Sequence, residues 1–308
     1  MSQSFTRRRF LTISAASMTC AAMPVQAAET VIWTGRAMGA QARMTLAGPV
    51  PKDQARSILR AVEHELARLE RIFSLHHPRS QIVQLNSSGI LKAPASEFVE
   101  VLDLCDHLNM ATKGAFDPTL QPLWLAHARS AAQGRIPSED DLMQARDAVG
   151  WEHLRFDAGA VRFGRAGCSL TLNGVAQGYV TDRIANLLRQ RGLSDILVDM
   201  GEIAALGKHP WPVGIVTPGG DLVSQVTLQD RAMATSAPMG TLLAPEIGLG
   251  HIIDPRNTEN QPRHKLVSVS ANSAALADGL STAFCLMTRP GIQSCLEQTD
   301  GAKLEAMA

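Results

Sequence analysis

The segment 170–182, which reads LTLNGVAQGYVTD, constrains the fold most because its hydrophobic period changes in the middle. Its first three residues alternate as in a strand, the chain turns at Asn173-Gly174, and a helical pattern follows. A strand that turns directly into a helix leaves backbone N–H groups above the turn, where phosphate can bind. The same pattern also fits a strand–turn–helix connection without any ligand. The segment therefore predicts a local structure and leaves two interpretations of its role open.

The N-terminus has the features of an export signal rather than of a folded element. Residues 6–11 read TRRRFL, an apolar stretch follows at 13–23, and small residues precede Ala28 as at a cleavage site. The apolar stretch is too short to span a bilayer. Ser17 stands where a lipid-anchored protein would have leucine. We therefore expect a twin-arginine signal peptide over 1–27, export to the periplasm, no stable membrane span and no lipid anchor.

The rest of the chain, 28–308, is long enough for one large domain with a sizeable core. Net charge is zero over the whole chain, and no clustered basic segment indicates a nucleic-acid partner. Apolar spacing predicts helices over 52–73, 96–113 and 272–287, with short strands between them and a loop over 240–250. No GxGxxG motif follows the first strand, which argues against a dinucleotide-binding α/β fold. These features favour an α+β fold with mostly antiparallel sheets flanked by helices.

Two turns carry candidate acid–base groups. Asp117 precedes Pro118, which disfavours a helical conformation at Asp117. Its carboxylate can therefore either cap the next turn or accept hydrogen bonds from a ligand. His251 and Asp254 lie three residues apart, next to Pro255, and could act as a general base and its orienting acid. A buried histidine beside an unrelated turn aspartate explains the same pattern.

The predicted helix 272–287 carries Asp278 and Thr282 four residues apart. Residues at this spacing lie on one face of a helix. One carboxylate and one hydroxyl on a shared face suit Mg²⁺, which takes few protein oxygens and keeps waters or substrate phosphates. An ordinary surface pair of aspartate and threonine is the alternative interpretation.

Taken in chain order, seven short motifs resemble the ApbE-like FAD:protein FMN transferases. The motifs are Met38-Gly39, the stretch 73–86 beginning Phe73-Ser74, GAFDPT at 114–119, LNGVAQGY at 172–179, Ala234-Thr235-Ser236, HIIDP at 251–255 and ADGLST at 277–282. The resemblance implies an ApbE/T-fold-like architecture and an enzyme that uses FAD and Mg²⁺. In such an enzyme a threonine hydroxyl of an acceptor protein attacks the FMN-side phosphorus, and AMP leaves. The implied acceptor belongs to a membrane or periplasmic electron-transfer chain.

The resemblance also assigns roles to individual positions. The residues it places at FAD are Met38, His76, Ala115, Phe116, Asp117, Thr171, Gln177 and Ile253. The residues it places at Mg²⁺ are Asp278, Thr282 and, through its backbone carbonyl, Gly174. His251 is the candidate base and Asp254 its nearest orienting partner, and the turn N–H groups after Gly174 are candidates for phosphate binding.

The sequence departs from the family pattern at several of these positions. Thr171 replaces an acid, Gln177 replaces a lysine or glutamate, and Gly201-Glu202 stands at a Gly-Gly pair. Thr171 and Gln177 can still hydrogen-bond FAD, but neither supplies a charge. These departures motivate two alternatives, namely a non-catalytic flavin-binding carrier or maturation factor of a respiratory complex, and an FAD pyrophosphatase that needs no acceptor.

Overall fold

The computed structural model describes residues 30–47, 52–256 and 261–308. Its strands are β1 (Thr30–Ala37), β2 (Ala40–Ala47), β3 (Ile90–Lys92), β4 (Leu154–Phe156), β5 (Ala160–Phe163), β6 (Ile196–Asp199), β7 (Ile203–Leu206), β8 (Trp211–Val216), β9 (Leu222–Leu228), β10 (Arg231–Ser236), β11 (Leu242–Ala244), β12 (Leu249–Gly250), β13 (Val267–Ala271) and β14 (Lys303–Met307). Its α-helices are α1 (Lys52–Phe73), α2 (Gln81–Ser88), α3 (Ser96–Ala111), α4 (Gln121–Ala131), α5 (Glu139–Asp147), α6 (Ala176–Gln190), α7 (Ala274–Phe284) and α8 (Arg289–Glu297). The predicted signal peptide lies outside the described residues.

Seven strands form the main sheet, in the order β1, β2, β6, β7, β10, β13, β14. Every neighbouring pair in it is antiparallel. Side chains of β7 alternate between the two faces, as the strand period requires. Ala204 and Leu206 join the core beneath the helices, whereas Ile203 and Ala205 pack with Trp211 of the β8–β9 hairpin. The centre of the sheet is thus covered on both faces, and the predicted α+β fold with mostly antiparallel sheets is confirmed.

The long helix α1 begins and ends where its apolar spacing predicts. Ile58, Val62, Leu66 and Leu69 recur every three or four residues and are all buried. Burying each of these side chains contributes about 1.5–3 kcal/mol. The helix contacts α6, and it belongs to the same large apolar core as α3, α6 and α7.

A smaller apolar cluster joins α4, α5 and the β11–β12 hairpin. Leu123 of α4, Leu243 of β11 and Leu249 of β12 are buried in it, together with Ile253. The prediction of a loop over 240–250 is therefore wrong, because these apolar side chains pack against α4 and a short hairpin forms between them. This packing fixes the position of the segment that follows β12.

Residues 170–172 are extended but are not a strand in the structure, so that part of the prediction is wrong. The side chain of Asn86 takes the place of a neighbouring strand. Its Nδ2 donates to the Leu170 carbonyl at 2.8 Å, and its Oδ1 accepts from the Leu170 N–H at 2.7 Å. The Thr171 N–H donates to the Pro118 carbonyl at 2.9 Å. Because these bonds satisfy the buried backbone, the segment needs no sheet partner.

Helix α6 packs closely on the start of α7 because of Gly178. A Cβ at this position would lie 2.3 Å from the carbonyl oxygen of Ala274, which is too close for any side chain. One turn later, the carboxylate of Asp182 accepts hydrogen bonds from the N–H groups of Ala274 and Ala275, at 2.8 and 2.9 Å. Free N–H groups at a helix start need such acceptors. The two contacts together set the position of α7, which carries Asp278.

Replacing Asp182 by alanine should lower the free energy of unfolding by about 1–3 kcal/mol, because two buried N–H groups lose their acceptor. Burial raises the pKa of Asp182 from 3.8 to about 6. The folded protein then binds this proton more tightly than the unfolded chain, so the stability due to Asp182 decreases as the pH rises from about 4 to about 6. Urea unfolding at pH 4.5 and pH 7 tests both points. Asp103→Ala, at an exposed position of α3, should change neither the free energy of unfolding nor its pH dependence. Equal stability of wild type and Asp182→Ala would contradict the role of Asp182 as acceptor for the start of α7.

No helix in the three described ranges is both long and apolar enough to cross a membrane. The cysteines Cys105, Cys168, Cys285 and Cys295 are buried and not disulfide-bonded. They therefore behave as small apolar residues of the core.

Candidate active site

Segments far apart in sequence meet in one cleft of about 190 Å³. Its walls come from the turn before α6, the turn after α3, the segment after β12 and one face of α7. The residues singled out in the sequence that line it are Met38, Ala115, Phe116, Asp117, Thr171, Gly174, Gln177, His251, Ile253, Asp278 and Thr282. The structure thus brings most of the candidate residues together. His76 and Asp254 lie elsewhere.

Helix α7 presents both of its candidate metal ligands to this cleft. Ser273 caps the helix, and Asp278 and Thr282 follow one turn apart on its cleft side. Asp278 is 4% exposed, and its carboxylate accepts the Gly178 N–H at 3.2 Å. Burial raises the pKa of Asp278 to about 7, and the charge of Asp182 adds to the shift. A buried carboxylate in such surroundings favours a cation beside it.

Gly174 closes the same corner of the cleft. A Cβ at this position would lie 3.1 Å from Oγ1 of Thr282 and 3.4 Å from the ring of Phe116. A larger residue would crowd the hydroxyl, so glycine keeps the backbone close to it. A carboxylate, a hydroxyl and a backbone segment are oxygen donors, the type that Mg²⁺ takes.

This set of donors fits Mg²⁺ only together with oxygens from outside the protein. Among the described residues, no group of three His, Cys, Asp or Glu side chains could hold a metal ion. Mg²⁺ commonly keeps several waters and binds through one or two carboxylates plus substrate phosphates. The single carboxylate of Asp278 matches that second pattern.

The backbone N–H groups of the turn are largely used within the protein. Val175 and Ala176 donate to the carbonyl of Leu172 at 3.0 and 2.7 Å, and Gly178 donates to Asp278. The prediction that the N–H groups after Gly174 bind phosphate is wrong for these three. The chain turns tightly enough for Val175 and Ala176 to reach its own carbonyl, which satisfies them.

His251 lies in the cleft wall with one ring nitrogen engaged. Its Nδ1 is 3.3 Å from the carbonyl oxygen of Thr241. A carbonyl can only accept, so this contact places the proton on Nδ1 and leaves the lone pair on Nε2. Burial lowers the pKa of His251. A neutral imidazole with an unprotonated Nε2 is the form that a general base requires.

Asp254 does not orient His251, so that prediction is wrong. Its carboxylate pairs with the guanidinium of Arg256 at 2.9 and 2.8 Å and also accepts the Arg256 N–H at 3.0 Å. Arg256 in turn donates to the carbonyl of Leu286 at 3.0 Å. The turn at Pro255 directs the carboxylate toward Arg256, and the backbone carbonyl of Thr241 takes the orienting role instead.

Asp117 has the capping role that was one of its two predicted roles, and its place in the cleft leaves the role of ligand contact as a prediction. Its Oδ1 accepts the N–H of Thr119 at 2.8 Å and the Thr119 hydroxyl at 2.6 Å, so it caps the short helical turn that follows. Asp117 also lines the cleft, and burial raises its pKa. The cap is therefore confirmed, and the carboxylate remains within reach of a molecule in the cleft.

A model of the ApbE family matches residues 38–307, which is most of the chain. The chain belongs to the ApbE family. The resemblance to this family that was found in the sequence is thus confirmed.

Relatives in the ApbE family carry a consistent name. A Vibrio cholerae protein named FAD:protein FMN transferase is 26% identical over an alignment of 277 residues that covers 84% of this chain and 82% of that protein. A Treponema pallidum protein of the same name is 30% identical over 261 residues, 70% of each chain. The prediction of a transferase is confirmed, and these relatives support flavin transfer as the activity.

Solved structures confirm the fold. The ApbE protein of Thermotoga maritima superposes with a TM-score of 0.78 at 24% identity, covering 91% of this chain and 96% of that one. At this identity the match describes the architecture, and the roles of individual residues rest on the geometry of the cleft.

Glu202 lines the cleft. In the sequence it was noted only as a departure from the Gly-Gly pair of the ApbE family. Burial raises the pKa of Glu202, and the charges of Asp278 and Asp199 raise it further. A second carboxylate therefore lies near the candidate metal ligand. Sequence reasoning could have found Glu202 in the cleft from one signal, namely an acid at a position where the family has glycine.

Ser236 is a second residue that sequence reasoning left without a role, although it belongs to a family motif. Its Oγ lies 2.7 Å from Oγ of Ser281 and 3.3 Å from Oγ1 of Thr282. This contact orients the Thr282 hydroxyl from the end of β10. His76, by contrast, lines a larger neighbouring cleft rather than this one.

Proposed function

We propose that this ApbE-family chain transfers FMN from FAD to a threonine hydroxyl of an acceptor protein and releases AMP. The observation that carries the proposal is the convergence of Gly174, His251, Asp278 and Thr282 in one cleft. They come from three different motifs, with Asp278 and Thr282 sharing one face of α7, and together they supply a base and oxygen donors where a pyrophosphate needs them. The names of the curated relatives support the same reaction.

In this proposal the transfer is a displacement at the FMN-side phosphorus. The bond from the threonine oxygen to phosphorus forms, and the bond from that phosphorus to the bridging oxygen of the pyrophosphate breaks. Nε2 of His251 takes the hydroxyl proton, and AMP leaves with the bridging oxygen. His251 can accept this proton because burial keeps its ring neutral and Thr241 holds Nδ1.

Asp278, Thr282 and the backbone of Gly174 would hold Mg²⁺. The ion supplies neutralisation of the charge on the phosphate oxygens. Ser236 keeps the Thr282 hydroxyl in place, and Met38, Phe116 and Ile253 provide apolar wall for the flavin nucleotide. Thr171 and Gln177 line the cleft as neutral hydrogen-bonding groups, so FAD binding here depends on hydrogen bonds rather than on a salt bridge at these two positions.

The direct test is a transfer assay. The chain is mixed with FAD, Mg²⁺ and a flavin-acceptor domain, and the acceptor is run on a denaturing gel. We expect flavin fluorescence on the acceptor band and its loss when EDTA is added. An acceptor band without fluorescence, under conditions where FAD binds the chain, would overturn the transferase proposal and favour a flavin carrier. FMN and AMP without a labelled acceptor would indicate a pyrophosphatase.

We further propose that the chain acts in the periplasm on an acceptor of a membrane or periplasmic electron-transfer chain. The support is the twin-arginine pattern at Arg7-Arg8 and the cleavage site before Ala28, both outside the described residues. Cell fractionation tests this, because the processed chain should be recovered with periplasmic proteins.

A further inference from the structure

A second cleft, of about 1200 Å³, lies beside the candidate active site. We call it the arginine cleft. Its lining residues come from α2, β3, α4, α5 and β5 and from the loops next to them. Trp124 and Asn173 line both clefts, and His76 lines the arginine cleft. The larger cleft therefore opens next to the turn that carries Gly174.

The arginine cleft carries a strong local positive charge in a chain whose net charge is zero. Arg129, Arg135, Arg162 and Arg165 line it, and Asp141 is the one acidic residue among its described lining residues. Arg135 lies 3.9 Å from Asp141, and Arg165 lies 3.3 Å from Asp147 at the surface. Such a cleft concentrates anionic partners near it.

Arg129 and Arg162 are the two arginines of this cleft that no close ion pair neutralises, although the charge of Asp157 acts on Arg162 from a longer distance. Among the described residues, neither has a carboxylate within 4.0 Å, whereas the other two do. Both are exposed, and they reach the cleft from two different elements, α4 and β5. They are therefore available to carboxylates of a molecule that enters the cleft.

The size and shape of the arginine cleft favour a polypeptide segment over other anions. The volume of about 1200 Å³ leaves room for several side chains of an inserted segment. Its concave form suits an inserted loop better than a flat lipid surface. Because the cleft shares Asn173 and Trp124 with the active site, a segment bound in it would reach the place where the hydroxyl must react.

We propose that the arginine cleft binds an acidic segment of the acceptor protein and guides its threonine to the flavin cleft. This inference rests on the proposed function for the identity of the partner. Carboxylates of the segment pair with Arg129 and Arg162. The cleft thus selects acceptors by charge and raises their rate of association.

Peptide binding tests the inference without any transfer reaction. A fluorescein-labelled threonine peptide with flanking Asp and Glu is compared with the same peptide carrying Asn and Gln, using anisotropy with the full chain and neither FAD nor Mg²⁺. We expect the acidic peptide to bind more tightly, with an affinity that decreases as salt rises. The double variant R129Q/R162Q should weaken the acidic peptide roughly five- to tenfold and leave the neutral one unchanged.

The control variant is Arg60→Gln, at an exposed position of α1 that lines neither cleft. FAD affinity, measured by flavin fluorescence, should be the same in wild type and both variants. Equal binding of the two peptides, or an acidic-peptide affinity unchanged in R129Q/R162Q, would overturn the inference. A loss of FAD affinity in R129Q/R162Q would assign the arginines to the dinucleotide site instead, and preferential binding to phosphatidylglycerol vesicles would assign them to a membrane surface. The binding measurements do not depend on flavin transfer. Failure of the gel assay would therefore not change how their outcomes are interpreted.

Discussion

Replacing Asp278 by alanine should abolish Mg²⁺-dependent transfer, lowering the turnover rate by about 1,000-fold or more. Neutralisation of phosphate charge by a metal ion contributes several kcal/mol to a transition state, and each 1.36 kcal/mol is a factor of ten in rate. Asp278 is the one carboxylate that α7 presents to the cleft. Without it, the hydroxyl of Thr282 is the remaining side-chain donor on that helix. The measurement is the rate of flavin incorporation into the acceptor over a range of Mg²⁺ concentrations.

Two further variants separate metal binding from folding in this experiment. Asp278→Asn keeps the shape of the side chain and should fold at least as stably as wild type, because burial raises the pKa of Asp278 to about 7 and the ionised form is costly. Asp103→Ala, on the exposed face of α3, controls for loss of an acid elsewhere. Wild-type turnover in Asp278→Asn, with the same Mg²⁺ dependence, would contradict the metal assignment.

Glu202 affects how the Asp278→Ala result is interpreted. Its carboxylate is close enough for the charge of Asp278 to raise its pKa, so it could hold a weakly bound ion when Asp278 is absent. Asp278→Ala would then keep some Mg²⁺-dependent activity, and the double variant with Glu202→Gln would lose it. That result would show that Glu202 holds the ion when Asp278 is absent.

The sequence predicted secondary structure correctly where one strong local pattern was present. Helix α1 repeats apolar residues over 22 positions, and its bounds were predicted correctly. Residues 170–172 alternate like a strand, yet the Asn86 side chain satisfies their backbone. That partner is 84 residues away, so no local pattern reveals it. The β11–β12 hairpin likewise forms because α4 covers it, which is a tertiary effect.

The candidate site shows the same division between local and distant information. Asp278 and Thr282 were predicted from their spacing on one helix, and both line the cleft. Asp254 was assigned to His251 because the two are close in sequence, but Arg256 is closer still and carries the opposite charge. Glu202 reaches the cleft from the turn after β6, and nothing in its own neighbourhood of the sequence points to Asp278. Apart from the group that the family resemblance brought together, such as Gly174 with Asp278 and Thr282, residues that meet across the fold were found only from the structure.

Replacing His251 by alanine should slow transfer roughly 100-fold or more and leave FAD affinity near that of wild type, because a general base contributes about 10²–10⁴-fold to a rate. The loss should appear in kcat, since the proton moves only during reaction. His107→Ala, at an exposed position of α3, is the matched control and should be neutral. Flavin fluorescence reports FAD binding, and single-turnover labelling of the acceptor reports the chemical step.

The pH profile distinguishes a base from a merely structural histidine. Burial lowers the pKa of His251 below its ordinary value of 6.5, so the neutral ring persists into mildly acidic solution. Asp278 also ionises in this pH range, so the profile is measured with saturating Mg²⁺, which keeps Asp278 ionised. The wild-type rate should then rise with pH through a midpoint below 6.5 and level off, whereas His251→Ala should lack this rise. If FAD affinity collapses in the variant while the acidic limb of the profile is unchanged, His251 supports the cleft wall through Thr241 and another group takes the proton.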